Sequence, residues 1–366
     1  MSRVGVGIVG AGVISEQYLR NLTRFPDFDV RFVADLDVER AAARAEAFGV
    51  RRSGTPDELL ADPDMEIVVN LTFPAAHVDV GMQALEAGKH VWIEKPFAVD
   101  RAGAERLLST AAASDLRLAG APDTWLGTGL QNSRRLVDGG IVDRPTAASA
   151  LFVSAGPESW HPNPDFYYQP GGGPLLDMAP YYLSALVQLL GPISRVSAFA
   201  SSAREERVIG SGPREGERIP VQTPTHYVAV VEFVAGAVAQ AVFSFDGHGH
   251  GNNRHLSVSG SAGHLELPDP NEFDGASTLL SPGQDPVVHT AETAGYSRGV
   301  GVLELARAIR SGVPERAGAG LVGHVLDAIF AIEESARTRS AVDVTSTVER
   351  ADPLPPGWDP FARTLA

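Results

Sequence analysis

The sequence predicts two domains: a doubly wound parallel α/β domain over residues 1–122, and an α+β domain with a large, mainly antiparallel sheet over 123–366. Three observations carry this. A chain of 366 residues is long enough for about two hydrophobic cores. Its first third alternates short, continuous Val/Ile/Leu runs with helical patterns, as parallel strands covered on both faces require. The remainder changes to apolar–polar alternation between tight turns, which is the pattern of antiparallel strands.

Taken in order, residues 4–10 (VGVGIVG) read as a buried strand, and the following helix places Tyr18, Leu19, Leu22 and Phe25 on one stripe. Residues 30–35 form a second strand, and 38–49 a helix stopped by Gly49. DELLAD is a short helix, MEIVVNLT the third strand, AHVDVGMQALEAG a helix ended by Gly88, and HVWIEK the fourth strand. A helix at 102–113 and the run LRLAG complete the set. Beyond residue 123, helices at 129–138 and 175–190 surround the alternating runs RVSAFASSAR, THYVAVVEFV, AVAQAVFSFD, RHLSVSG and HLELP. Helices at 299–311 and 321–338 follow, and the proline-rich tail is expected to lie irregularly along the surface.

Composition removes several classes of function. A net charge of -15 repels phosphate backbones and anionic lipid, so neither nucleic acid nor a membrane is expected as a partner. Zero cysteines exclude disulfides, thiolate nucleophiles and thiolate metal sites. The apolar run at the start is short and glycine-broken, unlike a signal peptide, and no stretch is long enough to span a bilayer. A reducing, cytoplasmic setting is the expectation.

The sharpest motif is Gly10-Ala11-Gly12-Val13-Ile14-Ser15, which leaves a predicted strand and opens a predicted helix. Gly10 allows the tight turn, Gly12 lets backbone approach a pyrophosphate, and the helix start offers free N–H groups. Ser15 replaces the third glycine of the Rossmann fingerprint with another small residue. Asp35 ends the second strand, where a carboxylate accepts hydrogen bonds from adenosine ribose hydroxyls and repels a 2′-phosphate. Leu36 follows it and no basic residue comes before Arg40, so NAD is expected over NADP. Asn70-Leu71-Thr72-Phe73-Pro74 with His77, and Glu94-Lys95-Pro96, fall at the ends of the third and fourth strands, where open α/β sheets bind ligands.

These motifs, with Thr72, Pro74 and His77 in a TxPxxH segment and Gly171-Gly172-Gly173-Pro174-Leu175-Leu176-Asp177 later, resemble the Gfo/Idh/MocA oxidoreductases. The resemblance implies an NAD-dependent dehydrogenase of a sugar, glycoside or cyclitol, with hydride passing between a ring carbon and the nicotinamide. It implies that Lys95 is catalytic and that Glu94 shapes the nicotinamide pocket. It also implies cofactor contacts at Gly10, Gly12, Val13, Ile14, Asp35, Leu36, Thr72, Pro74 and His77. A buried ammonium suits the reaction, because an alcohol losing hydride also loses a proton and passes through a developing alkoxide. A homodimer or homotetramer is the expected assembly.

One departure stands out. Where the family has a histidine four residues after the aspartate, this chain has Asp177 and Tyr181. Three readings follow: Tyr181 takes the proton with Lys95 and Asp177 assisting, a histidine from elsewhere (His161 first, then His226 or His324) replaces it, or Tyr181 only hydrogen-bonds substrate. Asp123, Trp125, Trp160 and His161 are further candidate contacts to a polyhydroxylated substrate, the tryptophans by stacking. His248, His250 and His255 invite a metal reading, but a glycine-rich hairpin accounts for them better, and no metal is expected. A redox-assisted glycoside hydrolase and an inactive dinucleotide-binding regulator are the alternative functions.

Overall fold

The computed structural model describes residues 3–247 and 253–365. In chain order the first elements are β1 (Val4–Val9), α1 (Val13–Leu22), β2 (Phe28–Ala34), α2 (Val38–Phe48), β3 (Arg52–Gly54), α3 (Pro56–Leu60), β4 (Ile67–Asn70), α4 (His77–Glu86), β5 (His90–Ile93), α5 (Arg101–Ala113) and β6 (Leu118–Gly120). Then come α6 (Thr128–Asp138), β7 (Pro145–Val153), α7 (Gly173–Leu190), β8 (Ile193–Ser201), β9 (Glu206–Val208), β10 (Arg218–Pro220), β11 (His226–Phe233), β12 (Val238–Ser244) and β13 (Asn253–Gly260). The last are β14 (His264–Leu267), β15 (Ser277–Leu280), β16 (Val287–His289), α8 (Val300–Ser311), α9 (Ala319–Thr338) and β17 (Val342–Asp343).

The chain divides into two compact units, one of residues 1–126, 294–323 and 354–366, the other of 127–293 and 324–353. In the first unit, six parallel strands lie in the order β3-β2-β1-β4-β5-β6. The winding reverses between β1 and β4, so the carboxyl ends of those two strands flank the crevice where such sheets take ligands. All six residues of β1 and all four of β4 are buried, as a strand covered on both faces demands. Local chemistry sets the helix starts: the Asp37 side chain caps α2, and Thr55 with Glu58 forms a capping box on α3.

The sequence reading divides the chain once, near residue 122, whereas the first unit takes back two later segments. Hydrophobic burial is the reason. Val302, Leu303, Leu305 and Ala306 of α8 belong to the same buried cluster as Val6, Ile8 and Trp92. The tail is irregular, as expected, yet its end is anchored: Leu365 joins that cluster, and the Asp27 carboxylate accepts the N–H groups of Thr364 and Leu365.

The second unit is built on a nine-stranded sheet ordered β16-β15-β14-β13-β7-β12-β11-β8-β17. Every neighbouring pair is antiparallel except β7 with β12, which is parallel. That central strand β7 has no counterpart in the sequence reading. Its segment PTAASALFV is alanine-rich and poor in β-branched residues at its start, so burial between neighbours decides its conformation more than propensity does. Helix α7 lies against this sheet, with Tyr182 meeting the rings of Phe152 and Phe243 edge to face. Among the described residues, no helix is long and apolar enough to cross a membrane.

Candidate active site

In the first unit the predicted cofactor residues gather at the carboxyl ends of β1, β2, β4 and β5. Gly10 has φ +105°, and a Cβ there would sit 2.6 Å from the Leu71 carbonyl oxygen, so only glycine serves. A Cβ on Gly12 would meet no protein atom within 4 Å. The space it would fill is open at the N-cap of α1, where no side chain caps the helix, which is the cradle a pyrophosphate needs. Ser15 is fully buried and its hydroxyl donates to the Gly12 carbonyl at 2.6 Å, bracing the loop from below. Val13 at the start of α1, Leu36 just past β2 and Phe73 just past β4 are strongly exposed apolar residues. Three such side chains at strand ends make an apolar rim suited to flat rings. The residues present therefore fit a dinucleotide.

Asp35 sits at the tip of β2, nearly buried, accepting the backbone N–H groups of Ala11 at 2.7 Å and Asp37 at 3.0 Å. Arg40, one turn into α2, also reaches it through Nη2 at 2.6 Å and Nε at 3.2 Å. Burial works to raise the Asp35 pKa, but these four donors hold it below its ordinary value. The sequence reading treats Arg40 as too far along the chain to matter, yet helical geometry folds it back onto Asp35.

The other two strand ends are tied together by His77. Its Nδ1 lies 2.7 Å from the Pro96 carbonyl and its Nε2 3.0 Å from the Thr72 carbonyl, while the Thr72 hydroxyl donates to Asn70 at 2.6 Å. Burial lowers the His77 pKa. Pro74 opens the short turn between Thr72 and His77. The Lys95–Pro96 bond is cis. Glu94 is clamped at both oxygens: Oε2 accepts the Lys95 N–H at 2.7 Å, and Oε1 accepts the Tyr18 hydroxyl at 2.9 Å. Trp92 Nε1 in turn donates to that hydroxyl at 3.1 Å. Glu94 and Tyr18 thus fix the backbone that presents Lys95. Tyr18 is absent from the sequence-derived set because helical periodicity marks it as core, and nothing local reveals a partner on β5.

Asp123 and Trp125 are both buried in this unit. Asp123 Oδ2 accepts the N–H groups of Gly299 at 2.9 Å and Gly301 at 3.0 Å, satisfying the start of α8. Burial pushes its pKa up to about 6.

In the second unit, Asp177 lies on α7, and every other residue of that eighteen-residue helix is buried. Tyr181 follows one turn later, itself buried, with Pro180 inside the helix. His161 stands near enough for the Asp177 charge to raise its pKa, although burial of the ring is the larger effect and leaves it lowered. Trp160 is 64% exposed and packs edge to face on His161 at 5.5 Å. The other two candidate histidines differ. His324 Nε2 accepts the Ile193 N–H at 2.9 Å and its Nδ1 meets the Ser346 hydroxyl, a structural role, and His226 begins β11. His248 and His250 lie outside the described residues; His255 pairs with Ser257, and no metal-holding cluster occurs among the described residues.

A glycine cradle at the start of α1, a carboxylate at the end of β2 and a strand-end lysine with a clamped backbone are the parts of an NAD-binding oxidoreductase. Residues 4–120 match an oxidoreductase family with an NAD-binding Rossmann fold, and residues 130–266 match the GFO/IDH/MocA C-terminal domain. The chain belongs to the Gfo/Idh/MocA oxidoreductases. It is 25% identical over 293 residues to levoglucosan dehydrogenase of Pseudarthrobacter phenanthrenivorans, covering 72% of this chain and 73% of that protein. It is 24% identical over 268 residues to myo-inositol 2-dehydrogenase of Thermotoga maritima, covering 71% and 74%. The solved structure of a levoglucosan dehydrogenase with NADH and L-sorbose superposes with a TM-score of 0.80 at 21% identity, covering 94% of this chain and 100% of that one.

Proposed function

We propose that the protein is an NAD-dependent dehydrogenase that oxidises a hydroxyl-bearing carbon of a neutral sugar, glycoside or cyclitol, or reduces the matching ketone. NAD, when bound, supplies the hydride acceptor. Lys95 donates a hydrogen bond to the reacting oxygen and stabilises the alkoxide as its proton departs. Asp177 and Tyr181 bind the substrate hydroxyls, and Tyr181 takes the proton. Glu94, held by Tyr18, keeps Lys95 in place. The observation that carries the reading is Asp177, the one half-buried residue on an otherwise buried helix. A carboxylate at that position is the kind of acceptor a polyol hydroxyl needs.

The dehydrogenase names of the relatives favour net oxidation over redox-assisted hydrolysis. Presence of both Lys95 and Asp177 counts against an inactive regulator. A panel of inositols, monosaccharides and glycosides incubated with NAD, and separately with NADP, tests the proposal through absorbance of the reduced cofactor. Stoichiometric NADH from one or more polyols is expected, with Lys95→Ala slower by about a thousandfold or more. Release of free sugar without NADH, or parental turnover by the alanine variant, would refute it.

A further inference from the structure

The segment that carries Trp160 and His161 settles what kind of group His161 can be. Its Nδ1 accepts the backbone N–H of Asn163 at 3.1 Å. A neutral imidazole has one donor and one acceptor nitrogen, so an Nδ1 already accepting leaves the proton on Nε2. Three rings hold the imidazole edge to face: Trp160 and Phe166 at 5.5 Å, and Tyr167 at 5.6 Å. They leave it little freedom to turn over and exchange its nitrogens. Nε2 has no hydrogen-bond partner among the described residues. The half-buried Asp177 carboxylate lies within electrostatic reach of the ring.

From this geometry we infer that His161 enters the reaction as a fixed Nε2–H hydrogen-bond donor to a substrate oxygen, and not as the proton acceptor that stands in for the missing histidine. The inference rests on the polyol dehydrogenase reading above and narrows it. A base needs a free lone pair, and the only one on this ring is engaged by Asn163. A donor at His161 with the Asp177 carboxylate within electrostatic reach suits a vicinal diol, one hydroxyl donating to the carboxylate while its neighbour's oxygen accepts from Nε2. A substrate carboxylate in that position would face Asp177 and be repelled, so neutral polyols are preferred over uronic acids. On this inference His161 leaves the set of histidines that could stand in for the missing one, which then holds His226 and His324.

Two measurements decide it. In ¹⁵N-histidine-labelled full-length protein, with His161→Gln assigning the signal, His161 should show a pyridine-type Nδ1 and a protonated Nε2 at pH 7. An Nδ1–H tautomer or an imidazolium at that pH would overturn the inference, whatever the substrate proves to be. On any polyol that yields NADH, His161→Ala should raise KM about ten- to a hundredfold with the shape of the kcat–pH profile unchanged. His161→Gln, whose amide nitrogen can donate from nearly the same place, should recover most of that loss. Loss of the acid limb of the kcat profile in both variants, with no recovery by glutamine, would make His161 the base and overturn the inference. If no polyol yields NADH while the tautomer is as stated, the dehydrogenase reading falls, and the substrate role of His161 falls with it.

Discussion

At Asp35, two neighbours compete for one carboxylate. A ribose diol hydrogen-bonded to Asp35 would compete with the half-exposed Arg40 guanidinium for the same carboxylate. An arginine left beside the 2′ position would soften the discrimination that Asp35 alone imposes. Arg40→Ala is expected to widen the ratio of NADPH to NADH dissociation constants by up to about fivefold, the range of one partly screened ion pair. Fluorescence titration with each reduced cofactor reads this, and an unchanged ratio would show that Arg40 has no part in the choice. Asp123 gives a second prediction. Its pKa is raised by burial to about 6 from an ordinary 3.8, so between those values the folded protein keeps a proton that the unfolded chain has lost. Its stabilising contribution is complete below 3.8 and is lost as pH rises through 6, on the order of 3 kcal/mol in all. Urea denaturation from pH 4 to 7 should show Asp123→Asn lacking part of the parental decline; identical slopes would contradict the assignment. The residues legible in the sequence were those marked by a local motif: Gly10 and Gly12 are announced by the turn and helix start they occupy. Arg40 and Tyr18 escaped because their partners are set by the packing of α2 on β2 and of α1 on β5.

Between residue and domain, the segment from 154 to 172 is held by a single buried arginine. Arg207 on β9 is fully buried and donates through Nη1 to Glu158 at 3.0 Å and to the carbonyls of Ala155 and Phe245, and through Nη2 to Asp246. Glu158 accepts the Tyr168 hydroxyl, and the Tyr168 ring faces the same guanidinium at 5.3 Å. Both ends of the loop that displays Trp160 and His161 are thus fastened to one cation. Arg207→Met fills most of the volume but leaves two buried carboxylates without a counter-ion, which costs about 3–5 kcal/mol. A lower melting temperature with accelerated proteolysis inside 154–172 is expected, and a variant as stable and as protected as the parent would remove the clamp from this account. The same scale shows what sequence patterning can read. Continuous Val/Ile runs identified β1, β4 and β5, and strict alternation identified β8, β11 and β12, because one period dominates each. Strand β7 and the return of α8 to the first unit were invisible, since an alanine-rich strand and an amphipathic helix acquire their places only from what covers them.

For the whole molecule, the open face of the nine-stranded sheet poses the remaining question. Phe199 on β8 pairs in register with Val228 on β11, and Val228 with Val242 on β12, giving an apolar row across three strands. Phe199 is 66% exposed and Val230 52%, with Val228 and Val238 also open. A contiguous patch of large apolar side chains on one sheet face is costly in water and marks an association surface. A second copy of the same face is the simplest occupant, because a two-fold axis sets identical patches against each other. Two chains each carrying a net charge of -15 repel at long range, so apolar contact must outweigh that repulsion, and added salt should strengthen the pairing. Light scattering is therefore expected to give a mass at least twice the 38.6 kDa of one chain, falling to a single chain in Phe199→Glu/Val230→Glu. Both substitutions lie on exposed positions, so the doubly charged variant should keep its fold, which circular dichroism would verify. A parental protein that remains a monomer at micromolar concentration in high salt would rule this face out as a self-association surface.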